Sequence, residues 1–320
     1  MQIGAIVTVS DPERNQTASS PFPRELARSD GFLRTDKTTR LLGHNLVDLV
    51  MAKIDRAGGG RPSILREEPG PAGFPLPRPA SSEDFVLAWE EAVASWISQQ
   101  AELLLLVRAG TYMELEFAEL IRFHRERGAP VTEAYTKDGP LDVAIVSAAA
   151  LRGDGSSSKA LSKLIGCEQR FYYSGYVNRL RTPRDFMQLV DDGLNRRSEL
   201  RPAGAEQAQG IWLGEGADVD PTCVIEGPAF VGSLTRVNSC CTVKPGSAIE
   251  SGCDIDSGTT VDGSWILPET YVGVGLNVRR SIVSNRKMFH LDRQTEVTIL
   301  DRRLIGARRG SALFGFEKDC

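Results

Sequence analysis

From Leu213 onward an aliphatic residue returns every six positions: Leu213, Val219, Ile225, Val231, Val237, Val243, Ile249, Ile255, Val261 and Leu267. With Leu, Ile and Val together at about one residue in four of an average chain, ten in phase has a chance on the order of one in a million per starting point. Four residues after each aliphatic position runs a second register: Ala217, Cys223, Ala229, Thr235, Cys241, Ser247, Cys253, Thr259, Trp265 and Tyr271, small at eight of its ten positions. A period of six matches neither the roughly 3.6 of a helix face nor the period of about 2 of a lone alternating strand. It predicts a solenoid of short strands and tight turns, three hexads to a coil, each hexad burying one aliphatic side chain and tucking a small one into a corner. Turn formers fall between the strands, as in Asp220-Pro221, Glu226-Gly227-Pro228, Lys244-Pro245-Gly246, Ser251-Gly252, Ser257-Gly258 and Asp262-Gly263.

Upstream the pattern alternates between strand and helix signals. Residues 5–9 form a short apolar strand candidate, and residues 46–57 carry Leu46, Leu49, Val50 and Ile54 at helical spacing, with Asn45 as N-cap and Gly58-Gly59-Gly60 as stop. Residues 69–79 are rich in Pro and Gly and read as a loop. An amphipathic helix over 85–97, a central strand over 103–107, a helix over 117–127 closed by Gly128, and strands over 131–135 and 143–146 follow. Such alternation predicts a mostly parallel α/β sheet covered on both sides.

Length agrees with two domains, since 320 residues exceed one ordinary core. They are expected at residues 1–200 and 201–320, with hexads over about 211–285 and a basic tail. The net charge of −4 exerts no general pull toward nucleic acid or an anionic membrane. No apolar run approaches the roughly 20 residues of a membrane span, and the N-terminus lacks a basic region followed by a long apolar core, so a cytoplasmic protein without membrane insertion is expected. The six cysteines at 167, 223, 240, 241, 253 and 320 lack paired C-x-x-C spacings, which disfavours a zinc site, and a reducing compartment disfavours disulfides. Cys223, Cys241 and Cys253 instead occupy the small register as compact buried side chains. Residues 211–278 hold nine acidic and two basic side chains, a balance of −7, whereas 279–320 hold ten basic and five acidic, a balance of +5. These read as solvated faces and a capping tail, or, more sharply, as Arg279, Arg280, Arg286 and Lys287 meeting an acidic surface or a phosphate.

The hexads resemble the hexapeptide-repeat left-handed parallel β-helix family, whose members include acyltransferases and the C-terminal domains of sugar-nucleotide enzymes. Three upstream segments carry a second resemblance. Residues 103–132, LLLLVRAGTYMELEFAELIRFHRERGAPVT, residues 43–50, GHNLVDLV, and residues 175–186, GYVNRLRTPRDF, are similar to motifs of the sugar-1-phosphate nucleotidylyltransferases of mannose-1-phosphate guanylyltransferase type. The resemblance implies an α/β nucleotidyltransferase-like (Rossmann-like) domain followed by a left-handed parallel β-helix. It also implies a nucleotide or sugar nucleotide as ligand, and a homo-oligomer or a subunit of a larger complex.

Catalysis in that family needs a glycine-rich loop for the triphosphate and two aspartates for magnesium. Here the first strand is followed by Ser10-Asp11-Pro12-Glu13-Arg14-Asn15-Gln16, without glycine and with two carboxylates that repel a triphosphate. The first aspartate position falls at Thr111, after Gly110, and the second at Arg179. A hydroxyl cannot replace a carboxylate as the principal ligand of a hard cation, and an arginine reverses the charge. The expected function is therefore a catalytically degenerate binding, regulatory or scaffold subunit in sugar-nucleotide or polysaccharide metabolism. Lys37, Arg40, Gly110, Thr111 and Arg179 are its nucleotide- or sugar-binding candidates, and no residue is assigned to catalysis or to a metal. One alternative is a working nucleotidylyltransferase with rearranged ligands, which alone requires Mg2+ and for which Glu114 and Glu116 are the displaced carboxylates to weigh against plain helix-terminal ones. Another is a β-helix acyltransferase, for which His290, just past the hexads, is the candidate base. His124 is expected to close a helix and pack.

Overall fold

The computed structural model describes residues 2–10, 40–67, 83–152, 156–157, 160 and 169–308. Lys37, Cys167, Cys320 and the segment 11–16 lie outside them. The chain divides into two units, an α/β unit built around Leu46–Arg179 and a strand-rich unit comprising Arg40–Asn45 and the chain from Leu180.

The α/β unit carries one sheet of six strands: β1 (Ile3–Ser10), β2 (Ser63–Glu67), β3 (Leu103–Arg108), β4 (Val131–Thr136), β5 (Gly139–Ser147) and β6 (Gln169–Tyr172), in the order β2-β1-β3-β5-β4-β6. β1 runs parallel to β2 and β3, and β4 parallel to β6. β5 is antiparallel to both β3 and β4, so the sheet is mixed where the sequence pattern pointed to a mostly parallel one. Only Lys137 and Asp138 separate β4 from β5, and a parallel connection needs a crossover of about a dozen residues. Side-chain alternation sorts the faces. Ile3, Ala5, Val7, Leu103, Leu105 and Val107 join a core with α1 (Leu46–Arg56) and α3 (Phe117–Arg127). Ile6, Leu104 and Leu106 meet Phe85, Trp89 and Trp96 of α2 (Glu83–Ser98) on the other. α3 stops at Gly128, whose φ of 62° is the left-handed C-cap that only glycine adopts freely.

In the strand-rich unit, three parallel ladders repeat in rotation. Ile211–Leu213, Ala229–Val231, Ser247–Ile249, Trp265–Ile266 and Ser281–Ser284 form one ladder; Asp218–Val219, Arg236–Val237, Asp254–Ile255 and Thr270–Val272 the second; Val224–Ile225, Thr242–Val243, Thr260–Asp262 and Asn277–Arg279 the third. One aliphatic side chain per strand, from Val231, Val237 and Val243 up to Ile266, Val272 and Val278, joins a single hydrophobic cluster. The small register has a polar reason as well as a steric one. Cys223, Cys241, Cys253, Ser247 and Thr259 each donate from sulfur or oxygen to a backbone carbonyl fourteen or fifteen residues on, for example Cys253 Sγ to Leu267 O at 3.1 Å and Thr259 Oγ1 to Gly273 O at 2.6 Å. A bulky side chain would both clash there and leave that carbonyl one donor short.

One residue is missing from the repeat between Val261 and Ile266. Partners such as Val231 and Ile249 lie eighteen residues apart, whereas Ile249 pairs with Ile266 and Ile255 with Val272, seventeen apart. The core residue is therefore Ile266, not Leu267, and the small register continues at Ser264, which donates to Val278 O at 3.2 Å. Trp265 and Tyr271 are not exceptions to that register but its outward neighbours. Trp265 shares an outward column with Phe230, Ala248 and Ile282, all buried. It stacks on Phe186 of α4 (Pro183–Leu194), a helix opened by Pro183 and a Thr182/Asp185 capping box.

A short hairpin, Arg40–Leu41 against His44–Asn45, covers part of the same face. Its two central residues, Leu42 and Gly43, both have positive φ, 53° and 85°, as a type I′ turn requires. A Cβ on Gly43 would lie 2.7 Å from Ala203 Cβ, so glycine also permits the close approach. Among the described residues no helix is long and apolar enough to cross a membrane.

Candidate functional site

The sequence-derived site positions Gly110 and Thr111 lie in the turn that leaves β3 at the centre of the α/β sheet. The next two residues, Tyr112–Met113, pair antiparallel with Val177–Asn178. Tyr112 opposes Asn178, so Thr111 and Arg179 are the next residues at one end of the same ladder. The fold thus brings these two candidates together although 68 positions separate them in the chain. Arg40 stands, exposed, in the hairpin of the strand-rich unit.

What the side chains do is different from holding a metal triphosphate. Arg179 spreads its guanidinium over the β4–β5 turn, donating from Nη1 to Pro140 O at 2.7 Å and from Nη2 to Thr136 Oγ1 at 3.0 Å and Gly139 O at 3.1 Å. Thr111 is buried, at 9% exposure, beside a cavity of about 20 Å³ lined chiefly by Leu46, Leu49, Val50, Val107 and Phe117. That is room for about one water molecule, not for a nucleobase or a sugar.

The neighbouring carboxylates are engaged. Glu116, the N-cap residue of α3, accepts from Arg56 Nη2 at 2.9 Å and from Lys53 Nζ at 3.4 Å, and Lys53 also donates to Leu115 O at 3.3 Å. Glu114 accepts from the Tyr112 hydroxyl at 3.4 Å. At the end of β3, Arg108 and Asp142 form an ion pair at 3.7 Å with both side chains 8% exposed. Lys53, Arg108 and Asp142 were not picked out from the sequence. For Lys53 a signal existed, since it sits on the Leu46, Leu49, Val50 face of α1 where an apolar residue is expected. Among the described residues no three His, Cys, Asp or Glu side chains converge as a metal-ligand group. A hydroxyl at 111 and a tethered guanidinium at 179 do not fit the hard divalent cation that the resemblance implies.

Two of the three histidines bear on the sequence-derived expectations. His124 is buried, with Nδ1 2.8 Å from Thr132 Oγ1 and Nε2 3.0 Å from Ser147 Oγ, and burial together with Arg125 lowers its pKa. His290 lies on a strand antiparallel to Ser281–Ser284, and its Nδ1 accepts the Arg293 backbone N–H at 3.3 Å. Of the basic cluster after the hexads, Arg279 pairs with Asp262, Arg280 with Asp292 and Lys287 with Glu296.

The chain was compared with family models and with curated protein sequences, and it matches none of them.

Proposed function

We propose that this chain is a catalytically degenerate relative of the sugar-1-phosphate nucleotidylyltransferases, a nucleotidyltransferase-like domain followed by a left-handed parallel β-helix. It acts in the cytoplasm as a binding, regulatory or scaffold subunit of sugar-nucleotide or polysaccharide metabolism, in a homo-oligomer or a larger complex. The observation that carries the reading is Arg179. At the position where the resemblance calls for a metal-binding aspartate, a guanidinium is tied to the β4–β5 turn by three hydrogen bonds. The one-water cavity beside Thr111 and the capture of Glu116 by Lys53 and Arg56 support it. Three ladders offset by seventeen or eighteen residues around one aliphatic cluster support the β-helix.

Isothermal titration of the full chain with GTP, UDP-glucose and GDP-mannose, each with and without magnesium, tests the function. The expected result is that magnesium strengthens the binding of none of the three ligands and that no pyrophosphate is released from GTP and mannose 1-phosphate. Magnesium-dependent triphosphate binding with pyrophosphate release overturns the proposal in favour of a working nucleotidylyltransferase.

A further inference from the structure

The strand-rich unit contains a groove of about 510 Å³ that no part of the proposed function uses, within the size range of ordinary small-molecule sites. One wall is a single face of α4, where Arg184, Met187, Gln188 and Asp191 follow one another at helical spacing. The opposite wall is a column of turns at one corner of the coils. Gly246 and Gly263 stack there seventeen residues apart, both with positive φ, and Arg280 takes the next place in the column with a φ of 43°. The two glycines leave the floor without side chains, since a Cβ on Gly246 would lie 4.0 Å from Asp191 Oδ1 and one on Gly263 3.9 Å from Arg280 Cγ. At both positions the positive φ favours glycine, while a Cβ would make only ordinary contacts, so the turn and not the space selects it.

Its polar groups are fixed in place with capacity to spare. Arg184 donates from Nη2 to Leu291 O at 3.2 Å, and Arg280 donates from Nε to both oxygens of Asp292 at 2.8 and 2.9 Å. Among the described residues, Arg280 Nη1 and Nη2 and Arg184 Nε and Nη1 make no hydrogen bond of their own. Asp191 is held by Arg197 and by Asn195 Nδ2 at 2.8 Å, and a carboxylate so engaged still has lone pairs to offer. Gln188 donates its amide to Asp192 at 3.0 Å, which leaves its carbonyl oxygen as an acceptor.

We propose that this groove binds a small phosphate ester bearing hydroxyl groups, with the phosphate on Arg184 and Arg280 and the hydroxylated carbons along Met187, Gln188 and Asp191. Two guanidinium groups from separate elements match a near-dianionic phosphate with three terminal oxygens, whereas a lone carboxylate is satisfied by one arginine fork. Asp191 repels a ligand that is anionic throughout and accepts from one that presents hydroxyls beyond its phosphate.

Calorimetric titration of the full chain with glycerol 3-phosphate, inorganic phosphate and glycerol tests the site. Glycerol 3-phosphate is expected to bind more tightly than inorganic phosphate, and glycerol not at all. Arg184→Gln and Arg280→Gln are each expected to weaken binding by about tenfold or more, while Arg303→Gln, whose guanidinium pairs with Asp301, leaves it unchanged. Gln188→Lys places a cation on an exposed position of the same wall, where Asp192 supports it, and is expected to tighten binding severalfold. Absence of binding overturns the proposal, as does binding that all three groove variants leave unaltered. Equal affinity for inorganic phosphate and the ester overturns the assignment of the hydroxyl-binding wall. None of these outcomes depends on whether the chain binds a sugar nucleotide.

Discussion

Trp265 donates its indole N–H to Glu250 Oε1 at 2.9 Å, and both side chains are fully buried in the strand-rich unit. The same oxygen accepts the Leu42 N–H at 2.7 Å, and Oε2 accepts the Gly43 N–H at 2.9 Å. Glu250 therefore fastens the Arg40–Asn45 hairpin to the outward column that Trp265 shares with Phe230 and Ile282. A buried turn whose two N–H groups lacked such an acceptor would cost about 1–3 kcal/mol per group.

That arrangement gives a pH dependence of definite sign. Burial raises the Glu250 pKa above its ordinary value of 4.5, while the Trp265, Gly43 and Leu42 donors and the charge of Arg40 pull it the other way without cancelling the rise. The folded state thus binds the proton more tightly than the unfolded chain. The resulting stability is fully present below the unfolded value and is lost as pH rises through the raised one. Urea unfolding of wild type and Glu250→Gln across that window is expected to show wild type losing stability relative to the variant as pH increases. Wild type gaining stability relative to the variant toward neutral pH would mean that the three donors outweigh desolvation.

The thiols differ in reactivity for a related reason. Burial raises the pKa of Cys241 and Cys253, and both donate S–H to a carbonyl, Asp256 O and Leu267 O, each at 3.1 Å. Cys240 stands exposed on a turn. In a Cys167→Ser, Cys320→Ser background, iodoacetamide is expected to label Cys240 in the native protein and to reach Cys241 and Cys253 only after denaturation. Peptide mass mapping checks this, and native labelling of Cys253 would contradict its place inside the coil.

Much of this was legible in the chain because the signals were local. The period that placed α3 over residues 117–127 and the glycine that ends it need no distant partner, and the hexads carry their own phase. The phase failed where one residue is missing, because Ile266 and Leu267 are both aliphatic and a six-residue count lands on the wrong one. The misfits Trp265 and Tyr271 were the visible trace of that slip, since Ser264 and Thr270 are the small residues in its place. The strands Ser63–Glu67 and Gln169–Tyr172 went unread because each forms an edge of the sheet and holds only two large apolar residues. At the candidate site, positions 111 and 179 were singled out by the resemblance alone. The destination of the Arg179 guanidinium was not legible, because its acceptors lie 39 to 43 residues away.

That destination can be tested directly. Thr136 already organises the β4–β5 turn, since its hydroxyl donates to Gly139 O at 3.2 Å and accepts the Asp138 N–H at 3.2 Å. Arg179 adds three donors in a planar fork that neither lysine nor alanine reproduces. Arg179→Ala is expected to destabilise the α/β unit by about 1–3 kcal/mol. It is also expected to accelerate amide hydrogen exchange across residues 136–140 while leaving exchange in α2, on the opposite face of the sheet, unchanged. Arg179→Asp, which restores the residue type that the resemblance calls for, is expected to lose more stability than Arg179→Ala, because it sets a carboxylate against the same carbonyl oxygens. If instead exchange at 136–140 is unaltered in both variants and Arg179→Asp binds magnesium, the guanidinium is not committed to the turn and the degenerate reading of this site falls.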